Sequence, residues 1–185
     1  GKGGKLDTKC ANFLAAADRE GMLTGVYYRL QTHVDAVAQA DQFIDRAQAL
    51  ASSRDWATSR LLLVGDFDAE SRMEDILRFM DRVEGRTGVV PVAYLENSGH
   101  LKVLLSGADE ATKSKLRRMP YWLALYSHDK GYDPRYPQFP IPVHPEGLVR
   151  QYAVWPTWTI WQYGGVEWSG GRSVPKVYHH GSHRY

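Results

Sequence analysis

The sequence predicts an α/β protein built on parallel strands, and three observations lead there. Strand-like and helix-like segments alternate through most of the chain. The run Leu61-Leu62-Leu63-Val64 is apolar without alternation, as suits a parallel strand covered on both faces. The helical segments carry apolar residues at three-four spacing, the mark of one buried face. At 185 residues the chain fits a single domain, 1–185. Five or six strands can be counted, fewer than a closed barrel of eight needs, and an open sheet fits the same periodicity.

Taken in order, Thr8–Glu20 reads as a helix with Cys10, Phe13, Leu14 and Ala17 on its apolar face and Gly21 to end it. Met22–Arg29 is rich in β-formers and reads as a strand. Val34–Ala51 reads as a helix turned inward through Val34, Val37, Ala38, Ile44 and Ala47, with Thr32 as N-cap and Asp35 three residues on. Arg60–Asp68 is a strand, and Ser71–Glu84 a helix with Met73, Ile76, Leu77, Met80 and Val83 in register. Gly88–Leu95 is a strand weakened locally by Pro91. Asp109–Arg118 is a short helix, Tyr121–Tyr126 a strand, and the proline-rich stretch Ser127–Gly147 a long loop. Val149–Val154 and Trp158–Tyr163 are the last two strands, and no clear period follows Gly164.

Composition narrows the function classes. The net charge is +2, and the densest basic run, Lys113, Lys115, Arg117 and Arg118, reads as a solvated helix face. No helix or loop carries the basic stripe of a nucleic-acid binder. No apolar stretch reaches the roughly 18–20 residues of a membrane span. No signal peptide opens the chain, and Gly1-Lys2-Gly3-Gly4 reads as a truncated or processed start. The one cysteine, Cys10, has no internal disulfide partner and is expected to be buried. His179, His180 and His183 cluster in the tail, but adjacent His179 and His180 point apart on a strand, so they read as surface and no metal site is assigned. His33 and His128 fall in loops after strands and read as solvated.

The chemistry concentrates in Gly65-Asp66-Phe67-Asp68-Ala69-Glu70. Strand side chains alternate faces, so Asp66, Asp68 and Glu70 share one, about 6–7 Å apart at each step of two. Buried carboxylates without partners are rarely tolerated in a core. Like charges held close raise one another's pKa, so one acid can keep its proton near neutral pH while a neighbour stays ionised. That division suits glycoside hydrolysis, where an acid protonates the leaving oxygen and a carboxylate meets the oxocarbenium centre. Glu70, just before Ser71, also fits as a cap of the following helix.

Aromatics make up 12% of the chain and recur on strands, in Gly25-Val26-Tyr27-Tyr28, Tyr121-Trp122-Leu123-Ala124-Leu125-Tyr126 and Trp158-Thr159-Ile160-Trp161-Gln162-Tyr163. Aromatic faces stack on the apolar faces of sugars, and Tyr hydroxyls or a Gln amide bond sugar hydroxyls. Core packing explains any one of them. Their recurrence near the C-terminal ends of several strands matches where α/β barrels keep their sites.

In order and spacing these segments resemble the family 25 lysozymes, the Chalaropsis-type muramidases. The segments are Gly25-Val26-Tyr27-Tyr28, Gln39-Ala40, Asp68-Ala69-Glu70, Val92-Ala93-Tyr94, Trp122-Leu123-Ala124-Leu125-Tyr126 and Trp161-Gln162-Tyr163, and together they cover residues 2–165. The resemblance implies one catalytic TIM-like (β/α) barrel of the irregular eight-strand, five-helix kind. It implies Glu70 as proton donor, Asp68 as companion carboxylate, attacking directly or steadying a reaction assisted by the substrate's N-acetyl group, and Asp66 as a supporting acid deeper in the barrel. Tyr27, Tyr94, Trp122, Tyr126, Trp161 and Gln162 would line the sugar groove. The substrate would be peptidoglycan glycan strands, cut between N-acetylmuramic acid and N-acetylglucosamine, outside the cell or at its wall, by a monomer needing no metal or organic cofactor. Nucleic acid and membrane are not expected partners.

The chain departs from the family pattern at both ends and in the middle. The first strand with its Asp is absent, Lys2 reads as the remnant of the second strand's Lys-Ala-Thr-Glu-Gly, and no closing Asp-x-Asn follows Tyr163. Tyr28 replaces a His, and Arg29 stands where an apolar residue is common. The acidic strand also admits Asp66 and Asp68 as the aligned pair, and it resembles the Asp-x-Asp-x-Glu of chitinase-like family 18, ranked second because Trp-Gln-Tyr belongs to family 25. The alternative function is a non-catalytic cell-wall glycan-binding module on the same fold, and a third reading is a structural domain whose aromatics are only core.

Overall fold

The computed structural model describes residues 6–67, 71–96, 99–124, 149, 153–162, 166–169 and 172–175. Within them strand and helix alternate as expected. Helix α1 is Cys10–Arg19, followed by β1 Gly25–Arg29, α2 Ala36–Ser52, β2 Leu62–Phe67, α3 Met73–Thr87 and β3 Val92–Glu96. Then come α4 Gly99–Gly107, α5 Glu110–Arg117, β4 Tyr121–Ala124, β5 Ile160–Gln162, and the pair β6 Val166–Ser169 and β7 Arg172–Pro175. Strands β1 to β5 form one parallel sheet in sequential order, while β6 and β7 pair antiparallel apart from it. Right-handed crossovers between strands added in sequence put α2 and α3 on one face of the sheet. The eight-stranded closure expected from the resemblance extends beyond these five strands.

Local chemistry explains most boundaries. Gly21 (φ 67°) and Gly88 (φ 69°) adopt the left-handed conformation that ends α1 and α3. Asp35, rather than Thr32, caps α2, its carboxylate accepting from the Ala38 amide at 2.9 Å. The helix therefore starts at Ala36, and its buried stripe is Ala36, Gln39, Ala40, Phe43, Ile44, Ala47 and Ala51, with Val34 and Ala38 exposed. Asp109 caps α5 through the Thr112 amide at 2.8 Å. Pro91 sits just before β3, where its missing N–H costs the ladder nothing. Met22 and Leu23 precede β1 and are exposed. β1 starts at Gly25, where a Cβ would stand 2.7 Å from the Leu62 carbonyl oxygen of β2.

The core lies between the sheet and its helices. Phe67 meets Phe79 of α3 edge-on at 6.0 Å, Phe43 of α2 stacks on Phe79 at 5.9 Å, and Tyr28 tilts against both. On α1, Leu14 is buried, but Cys10 is only half-buried and Phe13 is 62% exposed, against the expectation for that face. Outside this core, Arg82 and Arg86 grip Asp41, Arg86 also reaches Asp45, and Arg78 pairs with Asp35, tying α3 to α2. The basic run on α5 is a paired face: Arg117 bonds Glu110, Lys115 reaches Asp81, and Arg118 bonds Glu84.

Three expectations are corrected. The described residues of Val149–Val154 are not in a strand: Val149 is helical, and Ala153 (φ 51°) and Val154 form a turn held by α5. There Arg117 Nε donates to the Val154 carbonyl at 2.8 Å, and Trp155 Nε1 donates to the Leu116 and Met119 carbonyls at 3.0 Å each. The Trp155 indole stacks on Tyr121 at 4.4 Å, so burial of the ring, not strand pairing, fixes the segment. Helix α4 falls where none was expected. The hairpin β6–β7 lies in the tail that shows no period. The expected loop Ser127–Gly147 and the histidines His128, His179, His180 and His183 lie outside the described residues.

Candidate active site

The two faces of the sheet carry different residues. Register places Arg29 beside Asp66, Asp66 beside Tyr94, Tyr94 beside Trp122, and Trp122 beside Ile160. Registered residues of neighbouring parallel strands share a face, as do residues two apart on one strand. The face turned away from α2 and α3 therefore carries Tyr27, Arg29, Asp66, Tyr94, Trp122 and Gln162, above a buried floor of Val64 and Val92.

These side chains touch one another across three strands. The Tyr94 hydroxyl donates to Gln162 Oε1 at 2.9 Å, reaching from β3 over β4 to β5. Tyr94 and Trp122 meet edge-to-face, centroids 5.4 Å apart at 89°. Trp122 Nε1 is buried without an acceptor among the described residues. Tyr27 is 59% exposed. Burial, then the Asp66 charge, push its phenol above its ordinary pKa, while Arg29 opposes them.

Asp66 thus stands with the aromatics. Asp68 and Glu70, which follow it in sequence, lie outside the described residues, as does Tyr126. Trp161 does not join the row: it registers with Leu123 and Leu95 on the helix side, tilted against Trp158 at 5.9 Å and packed on the core. Tyr28 is also on the helix side, its hydroxyl donating to Gln42 Oε1 at 3.2 Å, so the position where the family pattern has His serves packing here. Two residues were not singled out as site residues. Arg29 shares Tyr27's parity, a signal plain in the sequence once β1 is placed. Gln39, buried on α2, clamps the loop after β1: its Oε1 accepts from the Gln31 amide at 2.8 Å, and its Nε2 donates to the Gln31 and Val34 carbonyls at 3.0 Å each. Among the described residues no three His, Cys, Asp or Glu side chains are grouped to hold a metal ion, and no helix is long and apolar enough to cross a membrane.

Arg29, Asp66 and Gln162 lie at the C-terminal ends of their strands, where open and closed parallel sheets alike keep their ligand sites, with Tyr27 and Tyr94 at mid-strand and Trp122 near the start of β4. A cluster of acid, hydroxyl, amide and indole donors over an apolar floor has the chemistry to hold a sugar and move a proton to or from it.

A family model described as "Glycosyl hydrolases family 25" matches residues 2–171. Among solved structures, the spore cortex lytic enzyme SleM of Clostridium perfringens is similar, with 25% identity and a TM-score of 0.62, over 90% of this chain and 52% of that one. The chain therefore spans about half the length of SleM. Muramidase from Acremonium alcalophilum (19% identity, TM-score 0.51, 86% of this chain and 70% of that one) shares the fold. So does a family GH25 lysozyme from Aspergillus fumigatus (19%, 0.52, 85% and 69%). No curated protein sequence matches the chain.

Proposed function

The chain belongs to the glycosyl hydrolases of family 25, and from that premise we propose that it is a peptidoglycan hydrolase of the lysozyme type, cutting between N-acetylmuramic acid and N-acetylglucosamine. The five-stranded sheet is then an arc of a (β/α) barrel, and its face away from α2 and α3 is the barrel's interior. The supporting observation is the row itself: β2 carries Asp66 in line with Tyr94 and Trp122, and Asp68 and Glu70 follow Asp66 in sequence.

In this reading Glu70 gives its proton to the glycosidic oxygen as the bond to the anomeric carbon breaks. Asp68 meets the positive charge at that carbon, by direct attack or by steadying the substrate's own N-acetyl oxygen as nucleophile. Water, deprotonated by Glu70, then completes the hydrolysis. Asp66 supports this pair from one step deeper. Tyr27, Tyr94, Trp122, Tyr126 and Gln162 line the groove, and Trp161 backs the sheet from the helix side. The enzyme acts as a monomer outside the cell or at its wall, without metal or organic cofactor, and binds neither nucleic acid nor membrane.

The test is clearing of a peptidoglycan suspension. The parent chain clears it, and Glu70→Gln does not, although it still sediments with the wall. A Glu70→Gln chain clearing at the parent rate removes Glu70 as donor. A parent that binds and never clears makes the domain a glycan-binding module.

A further inference from the structure

Gln162 ends β5 on the face away from α2 and α3, and its neighbours fix which end of its amide can meet a ligand. At its level β4 carries Ala124, so a methyl group is all that this strand's side chains place between Gln162 and β3. Tyr94 reaches over β4 from β3, and its hydroxyl donates to Gln162 Oε1 at 2.9 Å. The Tyr94 ring meets Trp122 edge-to-face at 5.4 Å, so the phenol is held by a ring contact along its body and by a hydrogen bond at its tip. A side-chain amide is planar, with an acceptor at one end and two N–H donors at the other. With Oε1 engaged, Gln162 has only N–H to offer: Nε2 has no partner among the described residues, and the side chain is partly exposed. We propose that Tyr94 is a positioning residue that makes Gln162 a donor-only contact, and that this contact takes the acetamido carbonyl oxygen of an amino sugar.

The proposal rests on the glycan reading of the row for the kind of ligand, but not for the polarity of the amide. A sugar hydroxyl both donates and accepts, whereas an acetamido carbonyl only accepts. An amide free to turn serves either group and distinguishes them poorly. An amide whose oxygen is already engaged has no acceptor for a hydroxyl proton, and its N–H end suits the carbonyl. The same restraint reduces the entropy lost on binding, because the side chain is ordered beforehand. The rings of Tyr94 and Trp122, both partly exposed, stand on the same face and offer apolar area to the acetamido methyl. A hydroxyl at the same sugar carbon has neither that methyl nor an oxygen that only accepts.

The probes are chitotetraose and cellotetraose, neutral oligomers that differ by an acetamido group against a hydroxyl on each ring. Their affinities are measured by titration calorimetry for the parent, Tyr94→Phe and Gln162→Glu. The parent is expected to hold chitotetraose about tenfold tighter than cellotetraose, the worth of one well-placed hydrogen bond. Tyr94→Phe keeps the ring against Trp122 and removes only the hydroxyl, so the amide can turn and the ratio should fall to about threefold or less. Gln162→Glu still accepts from Tyr94 but has no N–H to give, and its ratio should fall to about one. A parent that holds both oligomers equally, or neither, overturns the proposal, as does a folded Tyr94→Phe chain with the parent's ratio. If Tyr94→Phe fails to fold, nitrogen-15 NMR of the Gln162 side chain decides in the parent. Its Nε2 protons should shift with chitotetraose and stay in place with cellotetraose, and equal shifts overturn the proposal. Ratios that change as expected in a parent that never clears the wall leave the acetamido contact standing and remove the hydrolase reading. A parent that clears the wall while the ratio is unmoved by Tyr94→Phe does the reverse.

Discussion

The same strands build two unlike surfaces. Toward the helices, β1 to β4 offer Val26, Tyr28, Leu63, Phe67, Leu95 and Leu123, all buried. Away from the helices they offer Tyr27, Arg29, Asp66, Tyr94 and Trp122, partly exposed and linked by polar and edge-to-face contacts. The period of two in a strand makes this division possible without any change of backbone. One face is chosen by the loss of water from apolar area and the other by what it can hold. Tyr27 and Tyr28 show it most simply: neighbours of one residue type, the first 59% exposed beside Asp66, the second 5% exposed between Phe43 and Phe79.

Substitutions on either side should fail in different ways. The largest effect is expected at the acid segment, where Glu70→Gln lowers the clearing rate about 10²–10⁴-fold. Its thermal midpoint should stay close to the parent's. On the helix side, Phe79→Ala leaves a hole where Tyr28, Phe43 and Phe67 converge. It should cost roughly 3–5 kcal/mol of stability in a denaturant titration, with activity per folded molecule kept. Trp122→Leu should weaken binding to wall glycan roughly tenfold, about 1.4 kcal/mol, by removing a stacking face and a donor. Equal losses of stability in the Phe79 and Trp122 variants would erase the distinction between the faces.

The smallest effect concerns the exposed ion pairs over the helices. Hydrogen bonds from Arg82 and then Arg86 hold the Asp41 carboxyl at about 2, below its ordinary value. Because the folded value is depressed, the contribution is present above the unfolded carboxylate range and is lost as pH falls toward 2. Asp41→Asn should therefore melt slightly below the parent at neutral pH, with the gap closing by pH 2. A gap that persists there assigns the loss to something other than charge.

Legibility followed the same physics. The continuous apolar run of β2 and the three-four spacing of α3 stand out in the sequence because burial demands their pattern. Helix α4 does not, since His100-Leu101-Lys102-Val103-Leu104-Leu105 is short and bounded by glycines. The β6–β7 hairpin was marked only by Gly170-Gly171 between short strands, a turn signal that carries no period. Val149–Val154 misled because β-formers there lead to a turn, and its anchor, Trp155 on Tyr121, is a contact distant in sequence. In the site, the aromatic-strand pattern pointed to Tyr27, Trp122 and Gln162 and the family resemblance added Tyr94, but Trp161 looked equivalent to Gln162 until register gave its parity. Arg29 went unread although it shares Tyr27's parity, a signal that appears once β1 is placed.

The most direct measurement is the identity of the sugar end released from purified peptidoglycan, trapped by borohydride reduction and read by mass spectrometry. A hydrolase using Glu70 on this groove leaves reduced muramic acid with the parent chain and none with Glu70→Gln. Reduced glucosamine, or no new ends while the chain still binds the wall, would contradict it.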